Sequence, residues 1–373
     1  MMDESNEILG MLRDAAGDFI TGRYDPTVLR HESLRPRGAD RAMWREMGEM
    51  GWLGLGLTEA SGGSGLGLGG DTALAELFGQ TLFAAPFVAC ASMPADLLGH
   101  GDSAAGRDLT GMLQAGEHFL TLAWQERAGQ LEPDDFSTLL RDGKVDGGKL
   151  FVPAVEVDTI LLVAAMHEGQ LVIVAVAADG PGVLVAQAAA GIGASASVTF
   201  KDAPILFGGP LFEGEAAVAA LRNTLAAGRI ALAAQLAGLA QGCLEKTIAY
   251  VGQRVQFNHP IGAFQTIQHR CVDLHIAVRL AAASWRHALA RFEVEPRAAA
   301  TEAAVSAAKA RCGEVAIRVA REAVQMHGAM GFAEEVDIGF YLRSALHLSS
   351  LLGGPHAHRR RFVQHAQEKV THG

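Results

Sequence analysis

Arg254-Val255-Gln256-Phe257, followed by Pro260-Ile261-Gly262 and Phe264-Gln265, groups a guanidinium, two carboxamides and two aromatic rings around a break in the chain. An arginine offers a planar fork of N–H donors that matches phosphate oxygens, and Gln256 and Gln265 add neutral hydrogen-bonding groups beside it. A second cluster, Gln325-Met326-His327-Gly328-Ala329-Met330-Gly331-Phe332, ends a helical stripe in glycines that let a backbone approach a ligand closely. Each residue also has a plainer reading. Arg254 can serve the C-terminal dipole of a preceding helix, Phe257 can be core, and Gly328 can simply stop a helix. A third stretch, Gly62 to Gly70, formally contains GxGxxG from Gly65. A dinucleotide fingerprint needs a βαβ unit around it. A helix follows here but no second parallel strand does, so the loop is not read as a Rossmann site.

The elements that must position these residues fall into three parts. Residues 1–116 read as helical. Asp40 to Met50 carries Ala42, Met43, Met47 and Met50 at helical spacing before Gly51 stops it, and Asp71 is placed to cap the helix through Leu74, Leu77 and Phe78. Residues 117–212 change period. His118 to Trp124, Lys149 to Val155, Thr159 to Ala165, Leu171 to Ala177, Gly182 to Ala186 and Ser197 to Lys201 are short strand-like runs, with Asp146-Gly147 as a hairpin turn. Such runs predict a small antiparallel sandwich or barrel. Residues 213–373 return to long helices. One covers Ala216 to Val251 and breaks at Asn258-His259-Pro260, and a second starts near Phe264. A third carries Val305, Ala308, Cys312, Val315, Val319, Ala323 and Met326 on one stripe.

Composition bounds the function. The net charge of -10 excludes a general nucleic-acid binder. The short run His358-Arg359-Arg360-Arg361 reads as a solvated helix end or a subunit contact. Cys90, Cys243, Cys271 and Cys312 are far apart with no metal-like spacing, so buried free thiols in a reducing cytoplasm are expected and no metal is. The acidic start lacks the basic residues of a signal peptide, and no clean apolar run of about 20 residues predicts a membrane span.

In order along the chain, these motifs resemble the acyl-CoA dehydrogenase family. Arg254 to Gln265 resembles its Arg-x-x-Phe-Gly-x-Pro-Ile-x-x-Phe-Gln signature, and Gln325 to Phe332 its Gln-x-x-Gly-Gly-x-Gly-Phe turn. Thr58-Glu59 with Gly62 to Gly67 is similar to its N-terminal glycine loop, and Arg229 with Leu232 to Gln241 to the start of its first C-terminal helix. The resemblance implies an α+β multidomain fold: an N-terminal helical domain, a middle antiparallel β-sandwich or barrel, and a C-terminal four-helix bundle. It implies FAD as cofactor, an acyl-CoA substrate and α,β-desaturation of the thioester. It also implies cofactor contacts from Arg254, Gln256, Phe257, Gln265, Gln325, Gly328 and Ala329, with the arginine reaching the FAD of a neighbouring subunit.

The family reaction needs a carboxylate base, placed either late in the chain or just before the helix arginine. Those positions here are Leu352 and Gly228, and neither holds a carboxylate. The flavin-lining Thr-Glu-Pro segment is replaced by Leu122-Ala123-Trp124-Gln125-Glu126-Arg127, Asn258 stands where glycine is usual, and Gly354 where a threonine is. These departures, with Phe332 to Asp337 and the end Gly353 to Arg361, resemble subunits of bacterial heterotetrameric, steroid-degrading acyl-CoA dehydrogenases. The expectation is a base-lacking subunit paired with a glutamate-bearing paralogue. A homo-dimer or tetramer with an unconventional base (Glu334, Glu335, His356 or His358), a flavin-dependent monooxygenase on the same fold, and a non-catalytic acyl-CoA-binding scaffold are the alternatives.

Overall fold

The computed structural model describes residues 2–24, 40–187, 195–333 and 336–371. Helix α1 (Met2–Arg23) is followed by α2 (Arg41–Glu49), α3 (Gly67–Thr81), α4 (Met93–Leu98) and α5 (Ala104–Gln114). Strands β1 (Leu120–Ala123), β2 (Leu139–Arg141), β3 (Lys144–Pro153), β4 (Ile160–His167), β5 (Gln170–Ala177), β6 (Val183–Gln187), β7 (Ser195–Pro204) and β8 (Phe212–Glu213) come next. The chain returns to helix in α6 (Gly214–Gln253). A small hairpin of β9 (Val255–Gln256) and β10 (His259–Pro260) leads to α7 (Gln265–Val294), α8 (Ala299–His327), α9 (Ile338–Ser350) and α10 (Pro355–Thr371). The order of a helical part, a β part and a helical part is the one the sequence predicts.

Two compact units form, each built from separated pieces of chain. One joins α2 and residues 40–71 to the strands and the first turns of α6. Asp40 starts α2 as expected, its carboxylate accepting from the backbone N–H groups of Ala42 and Met43. Gly51 ends this segment with φ +75. The buried face is Trp44 and Met47 rather than the expected row through Met50, because Trp44 packs on Phe119 with ring centroids 4.8 Å apart. The glycine loop is packed on itself. A side chain at Gly63 would come within 2.4 Å of the Leu57 carbonyl oxygen, and no strand precedes the loop among the described residues.

Asp71 is not a cap. The helix begins at Gly67, and Asp71 lies a turn inside it, buried, accepting a 2.7 Å hydrogen bond from Ser92 Oγ. Burial pushes this carboxyl up to about 7 against the pull of the Ser92 bond.

The strands run in the order β6-β7-β3-β2-β4-β5-β8, wrapped around one core that includes Val152, Val198, Val163 and Val174. Most pairs are antiparallel, but β1 and β2 each pair parallel to β4. The expected Asp146-Gly147 turn is a bulge inside β3, where Gly147 (φ 141) lies against Thr138. The turn is Asp142-Gly143, both at positive φ, between β2 and β3.

The second unit joins α1 and residues 72–84 to the chain from Arg229 onward. Within it α8 packs against α7, α9 and α10, burying the predicted stripe from Val305 to Met326. Residues 72–81 of α3 cross α6 at backbone contact distance. A Cβ at Gly238 would lie 1.8 Å from the Glu76 carbonyl oxygen, and one at Gly242 would lie 2.0 Å from that of Gln80. Buried Glu76 ties this crossing down through Arg13 of α1 (2.6 Å) and Arg286 of α7 (3.0 Å). Among the described residues, no helix is long and apolar enough to cross a membrane.

Candidate functional site

The predicted cofactor residues gather at one end of the C-terminal helices. Arg254 follows α6 directly, its N–H bonded to the Tyr250 carbonyl at 2.8 Å, and its own carbonyl accepts from Ile261 N–H at 2.8 Å. That bond closes a hairpin in which Gln256 pairs with His259, leaving Phe257 and Asn258 as the two turn residues. Both have positive φ, 54° and 66°. Asn tolerates this backbone; a bulky phenylalanine does so at a cost of about 1 kcal/mol or more. Asn258 therefore does locally what a glycine would. Phe257 is not core: it is 85% exposed, edge-on to the exposed Phe264 at 6.4 Å.

Tyr250 stacks on His327 with centroids 4.1 Å apart. This contact sets the hairpin beside the end of α8, where Gln325, Gly328 and Ala329 are exposed and Gly328 turns the chain at φ +60. Arg270 bonds Glu322 at 3.3 Å, which draws the start of α7 and exposed Gln265 to the same end. Phe264 gives α7 no side-chain cap, so the positive end of this helix stays open. Arg254, Gln256, Phe257, Gln265, Gln325, Gly328 and Ala329 thus form one exposed cluster of cationic, amide and aromatic groups.

Neither base position offers a carboxylate. Gly228 lies inside α6, and Leu352 sits in the turn between α9 and α10 with φ +53. Buried side chains hold that turn from beneath. Lys309 Nζ donates to the carbonyls of Ser349 (3.0 Å), Gly353 (3.1 Å) and Leu348 (3.4 Å). His358 Nε2 bonds the Leu352 carbonyl at 3.0 Å. Burial, with Arg229 nearby, lowers Lys309 to about 7. Burial, with the charges of Lys309 and Arg229, lowers His358 to about 2. His358 is therefore neutral with its Nε2 proton directed into the turn, and so weak a base is no acceptor for a substrate proton.

The basic run is accordingly not one solvated face. His358 and Arg361 are buried, Arg361 pairing with Glu302 at 2.7 Å, while Arg359 and Arg360 are exposed. His356 is exposed. Glu334 and Glu335 lie outside the described residues. Cys90, Cys243 and Cys312 are buried free thiols, and burial raises Cys312 to about 12.

In the other unit, the segment in place of Thr-Glu-Pro is tightly stitched. The Glu126 carboxylate accepts from Ser137 N–H (2.6 Å), Ser137 Oγ (2.7 Å), Thr138 N–H (3.0 Å) and Lys149 Nζ (2.6 Å). Gln130 Nε2 donates to the Asp134 carbonyl, and Gln130 Oε1 accepts from Glu126 N–H. The loop keeps a defined shape without the threonine, the proline or the Gly-Ser-Asp end.

The N-terminal domain model of the acyl-CoA dehydrogenases matches residues 6–113, and their C-terminal domain model matches residues 218–367. The chain belongs to the acyl-CoA dehydrogenase family. It is similar to the acyl-CoA dehydrogenase IpdE2 of Mycobacterium tuberculosis, 26% identical over 96% of this chain and 97% of that one. The IpdE2 of Mycolicibacterium smegmatis is 39% identical over a stretch that spans 35% of this chain and 39% of the relative. Among solved structures, a steroid ACAD variant of the Tcur3481–Tcur3483 pair superimposes with a TM-score of 0.87 at 28% identity, over 98% of this chain and 99% of that one. The ChsE4–ChsE5 complex of Mycobacterium tuberculosis gives 0.84 at 23% identity over 98% and 97%, a likeness of fold. A flavin is the cofactor that membership implies.

Proposed function

We propose that this chain is the base-lacking subunit of a heteromeric, FAD-dependent acyl-CoA dehydrogenase. The combined enzyme desaturates an acyl-CoA thioester between its α and β carbons. The observation that carries the reading is an intact, exposed cluster of cofactor-type residues in a chain with no carboxylate at Gly228 or Leu352.

The residues fit the cofactor. A pyrophosphate needs a cationic fork and amide donors, and Arg254, Gln256, Gln265 and the open start of α7 supply them. Exposed Phe257 offers an aromatic face, and Gly328 a backbone with nothing within 4 Å of the position of a Cβ. FAD, when bound, supplies the hydride acceptor. This chain's residues bind and orient. At the base position itself the leucine is apolar, and the carbonyls of its turn are occupied by Lys309 and His358. A glutamate at either position of a paralogue would supply that base. The pairing of two named chains in both solved relatives is consistent with such an assembly. The three family domains are assigned to residues 1–116, 117–212 and 213–373, and the setting to the cytoplasm.

The test is expression of the chain alone and with a glutamate-bearing paralogue, reading flavin absorbance and native mass. The mixed complex retains flavin and oxidises an acyl-CoA; the chain alone turns over about 10²- to 10⁴-fold more slowly. Phe257→Asn relieves the strained turn, so it folds at least as well as the wild type yet retains less flavin. Ordinary acyl-CoA oxidation by the pure chain would refute the proposal.

A further inference from the structure

His327 has chemistry that the proposed function leaves unused. It is the last residue of α8, 5% exposed, and directly precedes Gly328. Its Nδ1 lies 2.8 Å from the Ala323 carbonyl oxygen. A carbonyl only accepts, so Nδ1 carries the proton and Nε2 is left with a bare lone pair. Tyr250 of α6 covers one face of the ring, with centroids 4.1 Å apart and planes 19° apart, which fixes the plane of the imidazole. Burial lowers the pKa of the ring against the pull of the Ala323 bond, so the ring is neutral at neutral pH.

Nε2 makes no bond among the described residues, yet it is not one of the polar atoms sealed from solvent without a partner. Its direction follows from the Ala323 bond. Nδ1 points back along α8, so Nε2, on the far side of the ring, is directed past the helix end, where Gly328 and Ala329 are exposed. A neutral lone pair repels a phosphate oxygen and takes an N–H or O–H donor. FAD carries such donors on both sides of its pyrophosphate: the ribose hydroxyls and adenine amino group on one, the ribityl hydroxyls on the other.

We propose that His327 Nε2 accepts a hydrogen bond from a hydroxyl or amino group of the cofactor beside its pyrophosphate, which makes His327 a specificity-determining residue of the cofactor site. The inference rests on the cofactor reading above. Arg254 supplies donors for the phosphates, and His327 supplies the acceptor for the donor next to them.

The experiment is equilibrium dialysis of FAD against the full chain in complex with the glutamate-bearing paralogue, with three substitutions at His327. H327F keeps the stack on Tyr250, H327N keeps a donor for the Ala323 carbonyl, and H327Q keeps an acceptor oxygen near the place of Nε2. Circular dichroism checks that each variant folds. H327F and H327N raise the FAD dissociation constant about fivefold or more, the contribution of one hydrogen bond, while H327Q stays within about twofold of wild type. The opposite order, with H327F or H327N close to wild type and H327Q weakest, is that of a histidine used only for packing and overturns the inference. Histidine ¹⁵N spectra of the wild type need no variant: the Nε2 resonance of His327 moves when FAD binds, and an unmoved resonance overturns the inference. Competition with ADP and with FMN locates the donor. The H327F defect recurs with ADP if the donor is on the adenosine half and with FMN if it is on the ribityl chain; a defect with neither also overturns the inference. A wild-type complex that retains no flavin refutes the cofactor reading itself, whereas a wild type that retains it and is matched by all three variants refutes the role of His327 alone.

Discussion

Replacing Lys149 by methionine probes the loop that stands where the family's flavin-lining segment is expected. The Lys149 side chain is fully buried and Glu126 is 8% exposed, their charged atoms 2.6 Å apart. Burial brings the lysine down from 10.5 to about 8, even with Glu126 beside it. Burial pulls Glu126 up, but its bonds to Lys149 and Ser137 outweigh this and bring it from 4.5 to about 2. Each shift corresponds to roughly 3 kcal/mol, and they oppose each other. The lowered lysine costs stability below pH 8, and the lowered glutamate adds stability above pH 4.5. The intact pair is therefore worth little net, as buried pairs often are, while removing one partner leaves a buried charge uncompensated.

Lys149→Met should cost about 3 kcal/mol at pH 7, and Glu126→Gln a similar amount. The double variant should cost about 2 kcal/mol less than the two singles combined, because the glutamine still accepts from Ser137 and Thr138. Urea unfolding of the four proteins closes the cycle. Wild-type stability should also fall as pH drops from 4.5 towards 2, and in Lys149→Met, where Glu126 has lost the cation that lowers its pKa, that fall should shrink or reverse. Singles that cost under about 1 kcal/mol and simply add would show the pair to behave as a hydrated surface contact, contradicting the burial argument.

Three further outcomes follow from buried groups. Gly238→Ala forces a methyl against the Glu76 carbonyl and should lower stability by about 3 kcal/mol or more, read as a drop in thermal midpoint. Lys309 has a lowered folded pKa, so the unfolded chain binds its proton first and stability rises with pH between about 7 and 10.5; Lys309→Met should abolish that rise and, by orphaning three carbonyls, cost about 2–3 kcal/mol at pH 7. Asp71 has the opposite sense. Its raised pKa makes stability fall as pH climbs from 3.8 to about 7, and Asp71→Asn should remove that fall in pH-dependent urea midpoints.

The sequence is most legible where local chemistry and tertiary role agree. The α8 stripe, the start of α2 at Asp40 and the motif order were readable because periodicity acts over one or two turns. Reading failed where partners are distant in the chain. Asp146-Gly147 has the composition of a turn, but Gly147 is there to let Thr138 approach, and the turn fell to the adjacent Asp142-Gly143. Asp71 has the composition of a cap, yet Ser92 holds it inside the helix. The burial of His358 and Arg361 depends on Leu352, Glu302 and Ser306, which no local pattern reveals. Lys309 did carry a signal, since it lies four residues after Val305 on the buried stripe.

The central claim is that this chain binds and orients but lacks the base. It is tested most directly by anaerobic single turnover, following loss of the oxidised flavin band when acyl-CoA meets the FAD-loaded protein. The account predicts rapid bleaching in the complex with a glutamate-bearing paralogue, and bleaching slower by about 10²-fold or more when that glutamate is changed to glutamine. Rapid bleaching that survives loss of the paralogue's glutamate would place a base in this chain and contradict the account.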